Sequence, residues 1–141
     1  MYIRQIASAT LLSVALAGSS ALSEPQMKRD KILETSTTWS GQKIEYPQTG
    51  KPVITSLVVE FQPGADTGWH MHPVPEYLYV LDGTLLVEDE NGNKKELHPG
   101  QAAVEVNNYH HGMNPGNTPT KFLVVFVGGE GLPLTVDRKT Q

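Results

Sequence analysis

The sequence predicts a small all-β domain built from antiparallel strands, either a sandwich or a small barrel. Segments rich in β-branched and aromatic residues alternate with turns that contain Gly, Pro and Asn. After the first 23 residues, no stretch of ten or more residues has the 3.6-residue apolar periodicity of an amphipathic helix. Short strands at this spacing, separated by such turns, are typical of antiparallel sandwiches and small barrels.

Six strands are predicted along the chain, over residues 53–61, 77–81, 84–90, 94–97, 101–106 and 121–127. Asp82 and Gly83 form a favoured two-residue hairpin turn between the second and third of these strands, and Asn91 and Gly92 form another before the fourth. The last strand is a nearly continuous apolar run, so we expect it to be buried. One or two outer strands are also expected in the region before residue 47.

The N-terminus has the layout of a secretory signal peptide, with Arg4, an apolar run over residues 6–17 and small residues after it. The run is shorter than the roughly 18–20 residues of a membrane-spanning helix. We therefore expect residues 1–23 to be removed on export, which gives a periplasmic or secreted protein without a membrane anchor. Cleavage after Ala17 or Ala21 is the alternative.

The rest of the chain is predicted to be one domain, with an N-terminal arm and outer strands (24–52), a barrel core (53–127) and a C-terminal tail (128–141). Removing Arg4 from the 11 basic residues leaves 10 against 15 acidic ones, a formal charge of −5. No cluster of Lys and Arg remains to bind phosphates, so no nucleic-acid partner is expected. The chain has no Cys, which excludes disulfides and thiolate metal ligands.

The placement of the histidines carries the functional signal. His70 and His72 are two residues apart, so on a strand both imidazoles point to the same face, and Glu76 follows four residues later. His110 or His111 can add another imidazole from a later segment. Imidazole and carboxylate ligands suit a first-row divalent metal ion such as Fe, Mn, Zn, Ni or Cu. These residues predict one divalent metal site with positions left open for water or substrate.

Residues 64–83 resemble the first motif of the cupin superfamily, G(X)5HXH(X)3-4E(X)6G, which they match at every defined position: Gly64, His70, His72, Glu76 and Gly83. The second motif, G(X)5PXG(X)2H(X)3N, is matched only in part, because Val106 replaces the proline and the second glycine is missing. Counting forward from Gly100 favours His111 as the ligand. Counting back from Asn114 favours His110, which we prefer.

The resemblance implies a cupin double-stranded β-helix of the jelly-roll type, with His70, His72, Glu76 and His110 as metal ligands. It also favours a homodimer in which the N-terminal segment packs on the partner. Because cupins include enzymes of several classes and binding proteins, the fold alone does not choose a function. The first hypothesis is a metal-dependent enzyme with dioxygenase-like or isomerase-like chemistry on a small organic molecule. The second is a non-catalytic module that binds a small ligand or metal; no catalytic residue is assigned.

Overall fold

A computed structural model describes residues 27–48 and 50–139, and the predicted signal peptide (1–23) lies outside these described residues. Nine β-strands are present in the described part: β1 (Pro52–Phe61), β2 (His70–Met71), β3 (Glu76–Asp82), β4 (Leu85–Asp89), β5 (Lys94–Leu97), β6 (Ala102–Glu105), β7 (His110–Met113), β8 (Thr120–Gly129) and β9 (Val136–Asp137). Across these same residues, no helix is long and apolar enough to cross a membrane.

The strands form two antiparallel sheets. The order is β1-β8-β3-β6 in the four-stranded sheet and β5-β4-β7-β2-β9 in the five-stranded sheet. This arrangement confirms the predicted all-β antiparallel class and the jelly-roll type. The two hydrogen-bonded ladders do not join into a closed cylinder, so the domain is a two-sheet jelly roll and not a continuous barrel.

The core lies between the two sheets because the strands alternate inward and outward residues. On β3 the buried positions are Glu76, Leu78 and Val80, as expected for side chains that alternate between the faces of a strand. Phe122, Val124 and Phe126 of β8 pack in the same apolar cluster, which also receives residues of β4 and β5. Burying each such side chain contributes roughly 1.5–3 kcal/mol, so this cluster is the main source of the stability of the fold.

The hairpin predicted at Asp82 and Gly83 is wrong, because β3 and β4 lie in different sheets and do not pair with each other. The turn between them carries the chain from one sheet to the other, and it depends on a glycine. Gly83 has a φ of 73°, in the left-handed region, and a Cβ atom at this position would lie 2.6 Å from Oγ1 of Thr120 and 2.7 Å from the carbonyl oxygen of Pro119. Both the backbone conformation and the close approach of β8 therefore require glycine here.

The six strands expected from the sequence are all present, and their ends differ from the expected ones by at most two residues. Residues 107–119 are rich in Asn, Gly and Pro, a composition that predicts a loop. This prediction is wrong for His110–Met113, which form β7 and pair with β4 and β2. This strand lacks the usual apolar alternation and is held by its neighbours on both sides. The one or two outer strands expected before residue 47 are not formed, since the described residues of the arm form only an isolated bridge between Thr37 and Lys43.

Candidate metal centre

Three imidazoles and two carboxylates meet between the two sheets, and each of these side chains is buried: His70, His72, Glu76, Glu105 and His110. Strand register brings them together. His70 of β2 is directly opposite His110 of β7, and Glu76 of β3 is directly opposite Glu105 of β6. Because directly opposed residues of antiparallel strands point to the same face, each pair presents its two side chains to the space between the sheets.

The potential ligand atoms of this cluster form two overlapping groups, which share His72 and are each compact enough to hold one ion. One atom from each of His70, His72 and His110 lies within 4.8 Å of the other two, and the same holds for His72, Glu76 and Glu105. The centroids of the three imidazole rings are 4.5–5.0 Å apart. The structure therefore brings together all four residues predicted as ligands, and their binding of a metal remains a prediction.

Hydrogen bonds to the backbone fix the orientation of the three imidazoles. Nδ1 of His70 lies 2.9 Å from the carbonyl oxygen of Gly68, Nδ1 of His72 lies 2.8 Å from that of Leu134, and Nδ1 of His110 lies 2.8 Å from that of Asn108. A carbonyl oxygen only accepts, so each Nδ1 carries the proton and each neutral ring keeps a lone pair on Nε2. This is the arrangement that orients imidazoles as metal ligands in proteins.

The Nε2 atoms of His72 and His110 each face a carboxylate at close range. Nε2 of His110 is buried and has no hydrogen-bond partner among the described residues, although it lies 3.1 Å from Oε2 of Glu105. Nε2 of His72 lies 2.6 Å from Oε2 of Glu76. Two acceptors at this distance need a proton or a metal ion to hold them together. Three imidazole nitrogens and two carboxylates fit a first-row divalent metal ion in this role.

The electrostatics of the cluster attract a cation. Burial lowers the pKa of His72 and of His110, but the facing carboxylates outweigh it and raise the pKa of both imidazoles. Burial raises the pKa of Glu76, an effect that His72 opposes only in part. Burial also acts to raise the pKa of Glu105, but the nearby imidazole of His110 above all, together with His72 and the indole of Trp39, brings that pKa below its ordinary value. Metal binding would replace the protons held by this cluster.

His111 does not reach the cluster, because consecutive residues of a strand point to opposite faces. Its ring packs on Trp69 with a centroid distance of 4.5 Å. Its Nδ1 lies 3.1 Å from the carboxylate of Asp66 and its Nε2 lies 3.5 Å from Oε2 of Glu88. Of the two histidines left open by the second motif, His110 is therefore the one that the structure places with His70 and His72.

Glu105 is a site residue that the sequence analysis missed. It stands directly before Val106, and no defined position of the two motifs falls on it. Its Oε1 accepts a 2.9 Å hydrogen bond from Nε1 of Trp39, a residue of the N-terminal arm. The signal available in the sequence was that Glu105 is the single charged residue of the predicted strand over residues 101–106. It lies two residues after Ala103, on the same face of the strand, and both side chains are buried.

A second polar network holds the segment that leads to His110. Asp89 is fully buried, and its carboxylate accepts hydrogen bonds from the backbone N–H groups of Asn91 and Asn93 and from the side-chain amides of Asn93 and Asn108. Burial acts to raise the pKa of Asp89, but these hydrogen bonds outweigh it and lower that pKa. Because the carbonyl of Asn108 accepts from His110, this network positions the imidazole.

A cavity of about 200 Å³ adjoins the cluster. His70, His72, Glu76, Glu105 and His110 line one side of it, and apolar residues of β1, β3, β4 and β8 line most of the rest. The lining is completed by Thr67, Gly112 and Thr135. A metal ion bound by the cluster would thus face a partly open cavity large enough for a small organic molecule. A pocket of this kind, largely apolar with a few convergent polar groups, is typical of small-molecule sites.

A two-sheet jelly roll with histidines and carboxylates gathered between its sheets defines a class of small β-proteins with a candidate metal centre. This chain belongs to the cupin superfamily: the family model for the cupin domain matches residues 57–126. A protein of Klebsiella pneumoniae with a double-stranded β-helix domain has the same fold, with a TM-score of 0.51 and 24% identity over 67% of this chain and 91% of that chain.

Two similar proteins are enzymes by name. The (R)-mandelonitrile lyase of Granulicella tundricola is 40% identical over 48 residues, which cover 34% of this chain and 37% of that protein. A chain in the crystal structures of the DMSP lyases RdDddP and RnDddQII has a TM-score of 0.53 and 30% identity, and the match covers 61% of this chain and 44% of that one. This chain thus matches less than half the length of either lyase.

Proposed function

We propose that this protein is a metal-dependent enzyme that cleaves a small organic molecule by elimination, as lyases do. The observation that carries the proposal is the second buried carboxylate, Glu105, which faces the predicted ligand set at the edge of an apolar cavity. The names of the two similar lyases support this chemistry over the dioxygenase-like or isomerase-like chemistry expected first.

In this proposal His70, His72, His110 and Glu76 hold one divalent metal ion. When bound, such an ion acts as a Lewis acid that polarises an electronegative atom of the substrate. The chemistry of the donor set admits Fe, Mn, Zn, Ni or Cu. The backbone carbonyls that bind the three Nδ1–H groups keep the imidazoles aimed at the ion.

Glu105 is proposed as the proton acceptor. The hydrogen bond from Trp39 holds its Oε1, which leaves Oε2 facing the cluster and the cavity. Oε2 takes the proton that the substrate loses, and the electron pair of that bond forms a new double bond. The bond to the leaving group breaks at the same time, and the leaving group departs with the pair of electrons from that bond. A positioned carboxylate of this kind typically contributes 10²–10⁴-fold to the rate.

The test compares wild-type protein with Glu105→Gln, both loaded with the same divalent metal, on (R)-mandelonitrile, DMSP and a panel of small hydroxy and carbonyl compounds. We expect product formation without oxygen uptake by the wild type and a loss of roughly 10²-fold or more in Glu105→Gln at unchanged metal content. Oxygen uptake in step with substrate loss would instead support dioxygenase-like chemistry. Saturable binding without turnover would support the binding module.

We further propose that the protein is exported, on the basis of the signal-peptide layout before residue 24. The N-terminal sequence of the protein recovered from a periplasmic extract or culture medium tests this directly. A start at residue 24, or at residue 18 or 22 for the alternative cleavage sites, is the expected result. A chain that keeps its first residues and stays with the cytosolic fraction would contradict export.

We also propose a homodimer formed along β1. Among the described residues, β1 has a hydrogen-bonded neighbour on one side only, and the side chains of Ile54 and Val58 are 62% and 60% exposed. A long, apolar edge strand of this kind favours pairing with another chain. Sedimentation analysis should show a dimer for the wild type and a monomer for Ile54→Lys. A monomeric wild type would contradict the proposal.

A further inference from the structure

The cavity beside the cluster has an almost wholly apolar wall. Leu78 of β3, Leu85 and Val87 of β4, and Phe122, Val124 and Phe126 of β8 form its inner surface. All six side chains are buried, with exposed fractions of 6% or less. For a molecule that enters this space, the transfer from water to the apolar wall is therefore favourable only for the apolar part of its surface.

The charges that line the cavity are negative. Within the described part of the chain, Glu76 and Glu105 line it and no Lys or Arg does. Two carboxylates balance the charge of one divalent ion when the three imidazoles are neutral. An anionic ligand would thus lose its hydration in a site that offers no net positive charge, which is unfavourable.

The residues that line the entrance of the cavity carry no charge. Leu57 of β1 lines the cavity and is 47% exposed, and Thr67 and Thr135 line it from exposed positions on the opposite side. The hydroxyl of Thr67 is already engaged with the backbone of Gly68 and Gly112. The rim therefore supplies no cation that could attract and hold an anion.

The size of the space limits the ligand further. A cavity of roughly 150 Å³ lined by apolar side chains holds benzene. At about 200 Å³, this cavity has room for one aromatic ring or a branched chain of similar size with one small substituent. The polar groups that could contact a substituent are gathered on one side, at the cluster.

We infer that the ligand of this cavity is a neutral, mainly apolar molecule about the size of a monosubstituted benzene, with a single polar group directed at the cluster. The inference rests on the proposed function in taking the occupant of the cavity to be the substrate. It adds the class of substrate, which neither the fold nor the ligand set specifies.

The test uses benzamide and benzoate, which have nearly the same shape and differ in charge. Their dissociation constants are measured by NMR titration at pH 7.5 on the metal-loaded protein. A bound metal ion attracts the carboxylate of benzoate, so this attraction acts against the predicted preference for benzamide. We expect benzamide to bind at least tenfold more tightly than benzoate. Equal or tighter binding of benzoate would overturn the inference. So would the absence of binding by both probes at about 10 mM, because weakly bound fragments of this size have dissociation constants in the millimolar range.

Two lysine variants on β1 provide a matched check. Leu57→Lys places a cation at the rim and should strengthen benzoate binding at least tenfold. Ile54→Lys places the same charge on β1 away from the cavity, so it reproduces any effect on the proposed dimer and should leave benzoate binding unchanged. Both sites are exposed, so folding is preserved. Equal effects of the two variants would overturn the inference.

Metal content, measured on the same samples, separates this inference from the proposed function. Wild-type protein that binds no metal after loading would contradict the proposed function, while a preference for benzamide in that protein would still support the cavity inference. Turnover of an anionic substrate by metal-loaded protein would support the proposed function and overturn the substrate class.

Discussion

The indole Nε1 of Trp39 donates a 2.9 Å hydrogen bond to Oε1 of Glu105. The backbone N–H of Trp39 also donates to the carbonyl of Val104, at 3.2 Å. These two contacts attach the N-terminal arm to β6 at the residue that presents the second carboxylate of the cluster. The arm therefore contributes to the site through one side chain, although it contributes no predicted ligand.

Replacing Trp39 by Phe removes the indole donor and keeps an aromatic ring. Because Oε1 of Glu105 would then be buried without this partner, we expect the free energy of unfolding to fall by about 1–3 kcal/mol. Urea unfolding of the metal-free wild type and variant measures this difference in the free energy of unfolding. Trp69→Phe is the control, since Trp69 packs on His111 outside the cluster. An equal loss in both variants would show that the Glu105 bond has no special role.

The two adjacent histidines of β7 should differ in their effect on metal binding. His110→Ala removes an imidazole from the cluster, so its affinity for a divalent metal should fall at least tenfold, an order-of-magnitude expectation for the loss of a ligand. His111→Ala removes a ring that faces Asp66 and Glu88 and should keep the affinity within about threefold. Competition with a chelating dye measures both. The reverse order would move the ligand to His111.

The Asp89 network predicts a pH-dependent stability. The folded pKa of Asp89 lies below its ordinary value of 3.8, so its contribution is complete above that value and is lost as pH falls through the folded pKa. At pH 7 Asp89→Asn should lower the free energy of unfolding by about 2 kcal/mol, and the difference should shrink below about pH 4. Denaturant titrations between pH 3 and pH 7 measure this.

The exposed Asp30 serves as the control for Asp89. Its carboxylate lies in an exposed ion pair with Lys28, which has little effect on stability. Asp30→Asn should therefore change the free energy of unfolding by less than about 0.5 kcal/mol at every pH. A pH-independent difference between wild type and Asp89→Asn would contradict the assigned pKa direction.

Alanine substitutions at Gly83 and Gly92, which have similar backbone angles, distinguish the cost of backbone strain from the cost of a steric clash. Gly83 and Gly92 both have positive φ, 73° and 80°, but only at Gly83 would a Cβ meet other atoms. Gly92→Ala should cost about 1 kcal/mol from backbone strain alone, and Gly83→Ala should cost at least 2 kcal/mol more, on the order of a buried clash. Thermal and urea unfolding measure the two values. Equal losses would show that β8 yields to the added methyl group.

How much of the site could be predicted depended on whether a residue carried a local pattern. His70, His72 and Glu76 have a fixed spacing within one segment, so their convergence could be predicted. Glu105 could not, because it reaches the cluster through the pairing of β6 with β3, and its partner Trp39 lies 66 residues away. The strand β7 was missed for a similar reason, since pairing with β4 and β2 overrides the loop-like composition around it.

The central claim is that His70, His72, Glu76 and His110 bind one divalent metal ion. The most direct measurement is the metal content of wild type, His70→Ala and Glu76→Ala after loading with Mn²⁺ or Zn²⁺ and exhaustive dialysis. Circular dichroism of each sample shows whether the variants keep their β-structure. We expect about one metal ion per chain for the folded wild type and a marked loss in both folded variants. Unchanged metal content in both variants would contradict the claim.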